Sequence, residues 1–170
     1  MSVKPRTRMP AVEFSLLDGD TFRLADARPK NFTMLVIYRG LHCPICKGYL
    51  GDLNAKIDKF VEKGTDVVVV SSDGRERVEQ AKKDWGLDKL KMGYGLDLDA
   101  GRQLGLFVSS AIRDGEPPKF LEPGLFVVRP DGTLYCSSVQ TMPFARAKFD
   151  DILMAIDFVV ARNYPARGEA

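Results

Sequence analysis

The sequence predicts an α/β layered fold in which helices flank a mixed central sheet. Three observations predict it. Met34-Leu35-Val36-Ile37 and Val67-Val68-Val69-Val70 are unbroken apolar runs, as expected of strands buried on both faces. Between and after them, apolar residues recur at spacings of three and four, the period of one buried helix face. A late run, Leu125-Phe126-Val127-Val128, is followed by Pro130-Asp131-Gly132 and a second strand-like stretch, the pattern of an antiparallel hairpin.

Taken in order, residues 1–10 read as a loose, basic N-terminal arm. Apolar residues on both sides of Asp18-Gly19-Asp20 predict a small hairpin over Ala11–Leu24. Asn31–Tyr38 is the first core strand. Pro44 suits a first helical position, where its missing N–H costs nothing. The helix that follows places Ile45, Tyr49, Leu50, Leu53, Ile57, Phe60 and Val61 on one buried face, and Gly64 stops it. Gly48 and Gly51 weaken that helix and read as points of close backbone approach. Asp66–Ser71 is the second core strand. Asp73 and Glu76 have capping-box spacing for a helix with Val78, Ala81 and Trp85 inside. A short strand or loop near Lys91–Leu96 leads to a short helix around Asp97–Leu104. Ser109–Pro123, with Gly115, Pro117 and Pro118, reads as loop. After the Leu125–Val139 hairpin, Phe149, Ile152, Leu153, Ile156, Val159 and Val160 mark the buried stripe of a last helix. No repeat, linker or low-complexity stretch divides the chain, so residues 1–170 read as one domain.

With 45% hydrophobic and 28% charged residues, the composition is that of an ordinary globular protein with enough length for a core. The net charge is +2, from 25 basic and 23 acidic residues, which gives no case for nucleic-acid or membrane-surface binding. No apolar segment approaches the roughly 20 residues of a membrane span, and no signal-peptide core is visible, so the expected location is the cytoplasm. Three cysteines do not make a disulfide framework.

Chemistry concentrates in Tyr38-Arg39-Gly40-Leu41-His42-Cys43-Pro44-Ile45-Cys46. A Cys-x-x-Cys between a strand and a helix puts its first sulfur at the helix N-terminus and the second one turn later. The pair can close a disulfide, and the helix dipole favours the first thiolate. Cys43 is thus the candidate nucleophile and Cys46 its partner. Arg39, and His42 if protonated, would lower the Cys43 pKa further from about 8.5. His42 also reads as a shape residue or a general acid or base. Cys136 reads as a small buried hydrophobe, as Tyr38 and Trp85 read as packing. Phe107 and Phe120 flank the loop before Pro123, in core packing or beside a cleft. Half of a zinc site is a further reading of the two cysteines, with only Cys136 and His42 left as soft ligands.

The element order, with this motif after the first central strand, resembles the thioredoxin fold. Phe14-Ser-Leu-Leu-Asp-Gly with Thr21-Phe-Arg-Leu, then Val36–Cys46, then Gly124-Leu-Phe-Val-Val-Arg-Pro-Asp-Gly, resemble the AhpC/TSA, or peroxiredoxin-like, branch over roughly residues 9–160. The resemblance implies a thioredoxin-like fold with an N-terminal β-hairpin. It also implies a thiol-dependent oxidoreductase that needs no cofactor or metal. Two departures stand out. The family's Pro-x-x-x-Thr/Ser-x-x-Cys becomes Val36 and Gly40 before Cys43, and the Arg that precedes the late strand becomes Pro123. Arg39 is the candidate substitute for that guanidinium. Pro123 resembles instead the cis-proline of thioredoxins, which faces the dithiol and points to disulfide exchange.

Two catalytic routes follow. Against a hydroperoxide, Cys43 becomes a sulfenic acid that Cys46 condenses to a disulfide. Against a protein disulfide, Cys43 forms a mixed disulfide that Cys46 resolves. Either route needs an external reductant, for which the resemblance implies a thioredoxin-like or glutathione-based system, and a homodimer is in keeping with it. The competing readings are a redox-sensing or binding module, whose partner surface over 105–123 changes with disulfide state, and a structural metal-binding domain.

Overall fold

The structure, a computed structural model, describes residues 3–170. Strands β1 (Glu13–Leu16) and β2 (Thr21–Arg23) form the expected hairpin, turning through Gly19 at φ +98°. Then come β3 (Phe32–Ile37), α1 (Pro44–Glu62), β4 (Thr65–Val70), α2 (Arg75–Asp84), β5 (Met92–Tyr94) and α3 (Leu98–Gln103). The chain closes with β6 (Val108–Ser110), β7 (Lys119–Leu121), β8 (Gly124–Val128), β9 (Leu134–Val139) and α4 (Phe149–Arg162). A seven-stranded mixed sheet has the order β2-β1-β5-β4-β3-β8-β9. The two unbroken apolar runs are its centre: β3 pairs parallel with β4 through Phe32↔Thr65 to Ile37↔Val70, and antiparallel with β8 on its other side.

Alternation along these strands splits the core in two. Met34, Val36 and Val69 pack with Leu50, Leu53 and Phe60 of α1 and Phe149, Leu153 and Ile156 of α4. Leu35, Ile37, Val68 and Val70 pack on the opposite face with Phe14, Leu16, Leu104, Leu106 and Leu121. With both faces covered, the C-terminal ends of β3 and β4 are held rigidly, and functional loops in such sheets sit at those ends. Among the described residues no helix is long and apolar enough to cross a membrane.

Several local expectations change. The N-terminal arm is not loose where it is described. Arg6 N–H donates to Leu134 O at 2.8 Å, Met9 N–H to Gly132 O at 2.9 Å, and Met9 is buried; residues 1 and 2 lie outside the described residues. The 109–123 segment is not merely loop, because β6 and β7 pair antiparallel. Ile45, Val61 and Val160 are exposed, since the apolar stripes of α1 and α4 are narrower than their spacing suggested. Nothing approaches Gly48 or Gly51 within 4 Å of a Cβ position, so they are not close-packing points. The Asp73–Glu76 capping box does not form: Gly74 is the N-cap of α2 without a side-chain bond, and the Asp73 carboxylate is engaged elsewhere.

Candidate active site

Beyond β3 the chain leaves the sheet at Tyr38, whose N–H donates to Val70 O at 3.1 Å. It then turns through Gly40 at φ +134°, a conformation that excludes most side chains. A Cβ at Gly40 would lie 2.5 Å from Asp73 Oδ2. That carboxylate is buried. It accepts from the Leu41 N–H at 2.8 Å and from Arg77 Nε at 3.0 Å, and so pins the loop that presents Cys43. The hydroxyl-bearing residue of the peroxiredoxin motif is therefore sterically excluded here by Asp73.

Cys43 is the N-cap of α1, with Pro44 following it. Its Sγ accepts from the Cys46 N–H at 3.3 Å. The Cys46 thiol donating to it, the Cys46 amide and the Arg39 guanidinium outweigh burial and bring the Cys43 pKa down to about 6. Burial and the neighbouring Cys43 sulfur instead push Cys46 far above the ordinary thiol range, against the pull of Arg146. Both residues are 0% exposed. The negative charge of the pair thus rests on Cys43, with Cys46 protonated beside it.

The structure brings Arg39 to Cys43, along with residues that sequence reasoning did not single out, while the ring of His42, the chain neighbour of Cys43, lies on Phe120. Arg39 Nε lies 3.1 Å from Glu122 Oε2, a buried carboxylate whose other oxygen accepts from Ser109 Oγ at 2.5 Å. The Arg39 guanidinium lies 4.8 Å from the Phe120 ring centre, so Glu122 and Phe120 together fix its direction. Phe120 is buried while Phe107 is exposed, so only the first belongs to the site's wall. The His42 ring meets Phe120 at 4.5 Å. Burial lowers the His42 pKa, and both ring nitrogens are buried without a partner, so at neutral pH the ring is neutral and adds no positive charge to Cys43. On the other side, Arg146 Nη2 donates to Cys46 Sγ at 3.2 Å from the loop before α4.

Pro123 departs from expectation. No peptide bond among the described residues is cis, so it does not reproduce a thioredoxin cis-proline. It lines a small cavity with Tyr49 and Arg146, and its carbonyl accepts from Gln140 N–H at 3.0 Å. Cys136 sits on β9 opposite Val127, half-buried, and burial alone pushes its pKa up to about 11. Among the described residues no group of three or more His, Cys, Asp or Glu side chains is placed to hold a metal. A cleft of about 920 Å³, lined by residues such as Phe22, Asp66 and Lys91, includes none of these site residues.

The profile of the AhpC/TSA family matches residues 5–136. The chain belongs to the AhpC/TSA family. No curated protein sequence matches it. Among solved structures, the peroxiredoxin 6 of Arenicola marina superposes with a TM-score of 0.80 at 16% identity, over 95% of this chain and 76% of that one. The peroxidoxin BcpB of Mycobacterium tuberculosis gives 0.74 at 15%, over 92% and 98%. Reduced Prx3 of Vibrio vulnificus, solved in complex with hydrogen peroxide, gives 0.75 at 16%, over 92% and 99%. At these identities the likeness is one of fold: this AhpC/TSA chain has the thioredoxin-like fold of peroxiredoxins.

Proposed function

We propose that the protein is a thiol peroxidase in which Cys43 reduces a small hydroperoxide and Cys46 resolves the product. The observation that carries this is the combination at Cys43: a thiol held as thiolate at the α1 N-terminus beside Arg39, yet with no exposed surface. The thiolate is the reactive form, so the lowered pKa supplies the nucleophile at neutral pH. Burial selects the oxidant. A hydroperoxide is the smallest of the candidate oxidants and can enter on a local fluctuation.

The sulfur attacks the terminal peroxide oxygen, the O–O bond breaks, and the alkoxide or hydroxide leaves and takes a proton from water. Cys43 becomes a sulfenic acid. Cys46, three positions on and already hydrogen-bonded to Cys43 through its amide, attacks that sulfur, so α1 need not unwind to close the bond. A thioredoxin-like or glutathione-based reductant in a reducing compartment such as the cytoplasm completes the cycle. Arg39 takes the place of the guanidinium that the family carries where this chain has Pro123.

Peptide mapping after one equivalent of hydrogen peroxide tests this reading. It predicts a Cys43–Cys46 disulfide in the wild type and a trappable Cys43 sulfenic acid in Cys46→Ser. Oxidation spread equally over Cys43, Cys46 and Cys136 would contradict it.

A further inference from the structure

We propose that Arg146 is the positioning residue for Cys46: it holds the resolving sulfur and carries its negative charge when the disulfide closes and when it reopens. The proposal rests on the peroxidase reading of Cys43 for its place in the cycle. Its geometric basis is independent of that reading.

Arg146 and Arg39 differ in one respect. Arg39 has a buried carboxylate partner, Glu122. Among the described residues Arg146 forms no ion pair with an acid, and its Nη2 instead meets the fully buried Cys46 sulfur at 3.2 Å. A guanidinium taken partly out of water without a carboxylate is costly unless another anion compensates it. The sulfur it meets is one that becomes anionic during turnover.

Its aim is fixed from three directions. Nε donates to Pro143 O at 2.7 Å. The guanidinium carbon lies 4.4 Å from the Tyr49 ring centre. The Tyr49 hydroxyl donates to Ala147 O at 2.7 Å, one residue beyond Arg146, while Ala145 before it is held at φ +58°. A non-glycine residue in that left-handed region costs about 1 kcal/mol or more, and such conformations gather at functional sites. The remaining nitrogen, Nη1, is buried and has no protein partner. The loop thus accepts backbone strain and an unsatisfied donor to keep this cation on Cys46.

The consequence is an ordered transfer of charge. In the reduced enzyme burial and the Cys43 thiolate keep Cys46 protonated. Once peroxide has taken two electrons from Cys43 to leave a neutral sulfenic acid, that repulsion is gone and Arg146 is the charged neighbour. Cys46 attacks the Cys43 sulfur; the S–S bond forms, the S–O bond breaks, and hydroxide leaves as water with the Cys46 proton. In the return step a reductant thiolate attacks Cys43, the S–S bond breaks, and Cys46 leaves as a thiolate paired with Arg146. A second reductant thiol then releases Cys43.

Two measurements on Arg146→Gln and Arg146→Lys test this. The first is the lifetime of the Cys43 sulfenic acid after a pulse of hydrogen peroxide, read by trapping. The loss of a charge-assisted hydrogen bond predicts a lifetime longer by about tenfold in Arg146→Gln, with partial recovery in Arg146→Lys. The second is the ultraviolet titration of the Cys46 thiolate in a Cys43→Ser background, where Arg146→Gln shifts the midpoint upward and Arg146→Lys restores part of it. Unchanged lifetimes and unchanged midpoints in folded variants would overturn the proposal. If peroxide fails to make a sulfenic acid even in the wild type, the peroxidase reading falls. The titration alone then decides whether Arg146 acts on Cys46.

Discussion

Cys43 and Cys46 share one turn of α1, yet their surroundings differ in every charged group. Cys43 sees the helix N-terminus, two donors from Cys46, and an arginine already neutralised by Glu122. Cys46 is the third residue of the same turn, its side chain fully buried against a single arginine that lacks a carboxylate. Burial acts on both, but only at Cys43 do enough donors converge to overcome it. Two identical side chains thus acquire opposite protonation states, the division that the proposed peroxidase cycle requires. Where titratable groups are pushed apart in this way, their roles are pushed apart too.

Substitutions at the site break or sharpen this contrast. The largest effect is expected from Cys43→Ser, which removes the one acidic thiol. Cys46 and Cys136 are both shifted upward and cannot replace it, so peroxide consumption in a reductant-coupled assay should fall to background. Arg39→Ala leaves Glu122 buried with only Ser109 as a donor. Breaking such a pair costs about 3 kcal/mol, read as a lower urea midpoint, and the Cys43 midpoint should rise in a thiolate titration. Gly40→Thr places the family's hydroxyl residue where Asp73 already stands, at a φ unfavourable to any side chain. It should cost about 1–3 kcal/mol and fail to accelerate peroxide reduction, because Asp73 must give up the Leu41 amide to make room.

The pH dependence is smaller in effect but specific. A thiol with its pKa lowered to about 6 is mostly thiolate at neutral pH. The peroxide rate constant should be flat above pH 7 and fall as pH drops through about 6, not through the ordinary thiol range of about 8.5. A midpoint near the ordinary value would remove the distinction between the two cysteines. Cys136→Ala should do least. Peroxide consumption should be unchanged and the urea midpoint should move by no more than about 0.5 kcal/mol, because the side chain is half-buried at the edge of the core and has no part in the Cys43 environment.

Much of this was legible in the chain, and the pattern of what was not is physical. The β1–β2 hairpin, β3, β4, α1 and the β8–β9 hairpin follow from local periodicity and turn residues, and the Cys43 cap follows from Pro44 at the next position. The exposure of Ile45 and Val61 did not, because a stripe's width is set by what packs on it and not by its spacing. The β6–β7 pair was hidden by Gly115, Pro117 and Pro118 in the turn between them. At the site, the contacts that hold the two cysteines are long-range. Asp73 reaches Leu41 across 32 positions and Arg146 reaches Cys46 across 100. Asp73 did carry a signal, but local reading assigned its carboxylate to capping α2 when tertiary structure gave it to the Cys43 loop. The replacement of the family's hydroxyl residue by Gly40 was visible as a departure; its cause was visible only in three dimensions.

The measurement that bears most directly on the division of labour between the two cysteines is the second-order rate of hydrogen peroxide with the fully reduced protein at neutral pH, by stopped flow, with Cys46→Ser alongside. The account predicts a rate far above that of a free thiol in both proteins, with a sulfenic acid that accumulates only in the variant. A rate no faster than free cysteine would contradict it, because a buried thiolate held by Arg39 would then have no small oxidant to meet.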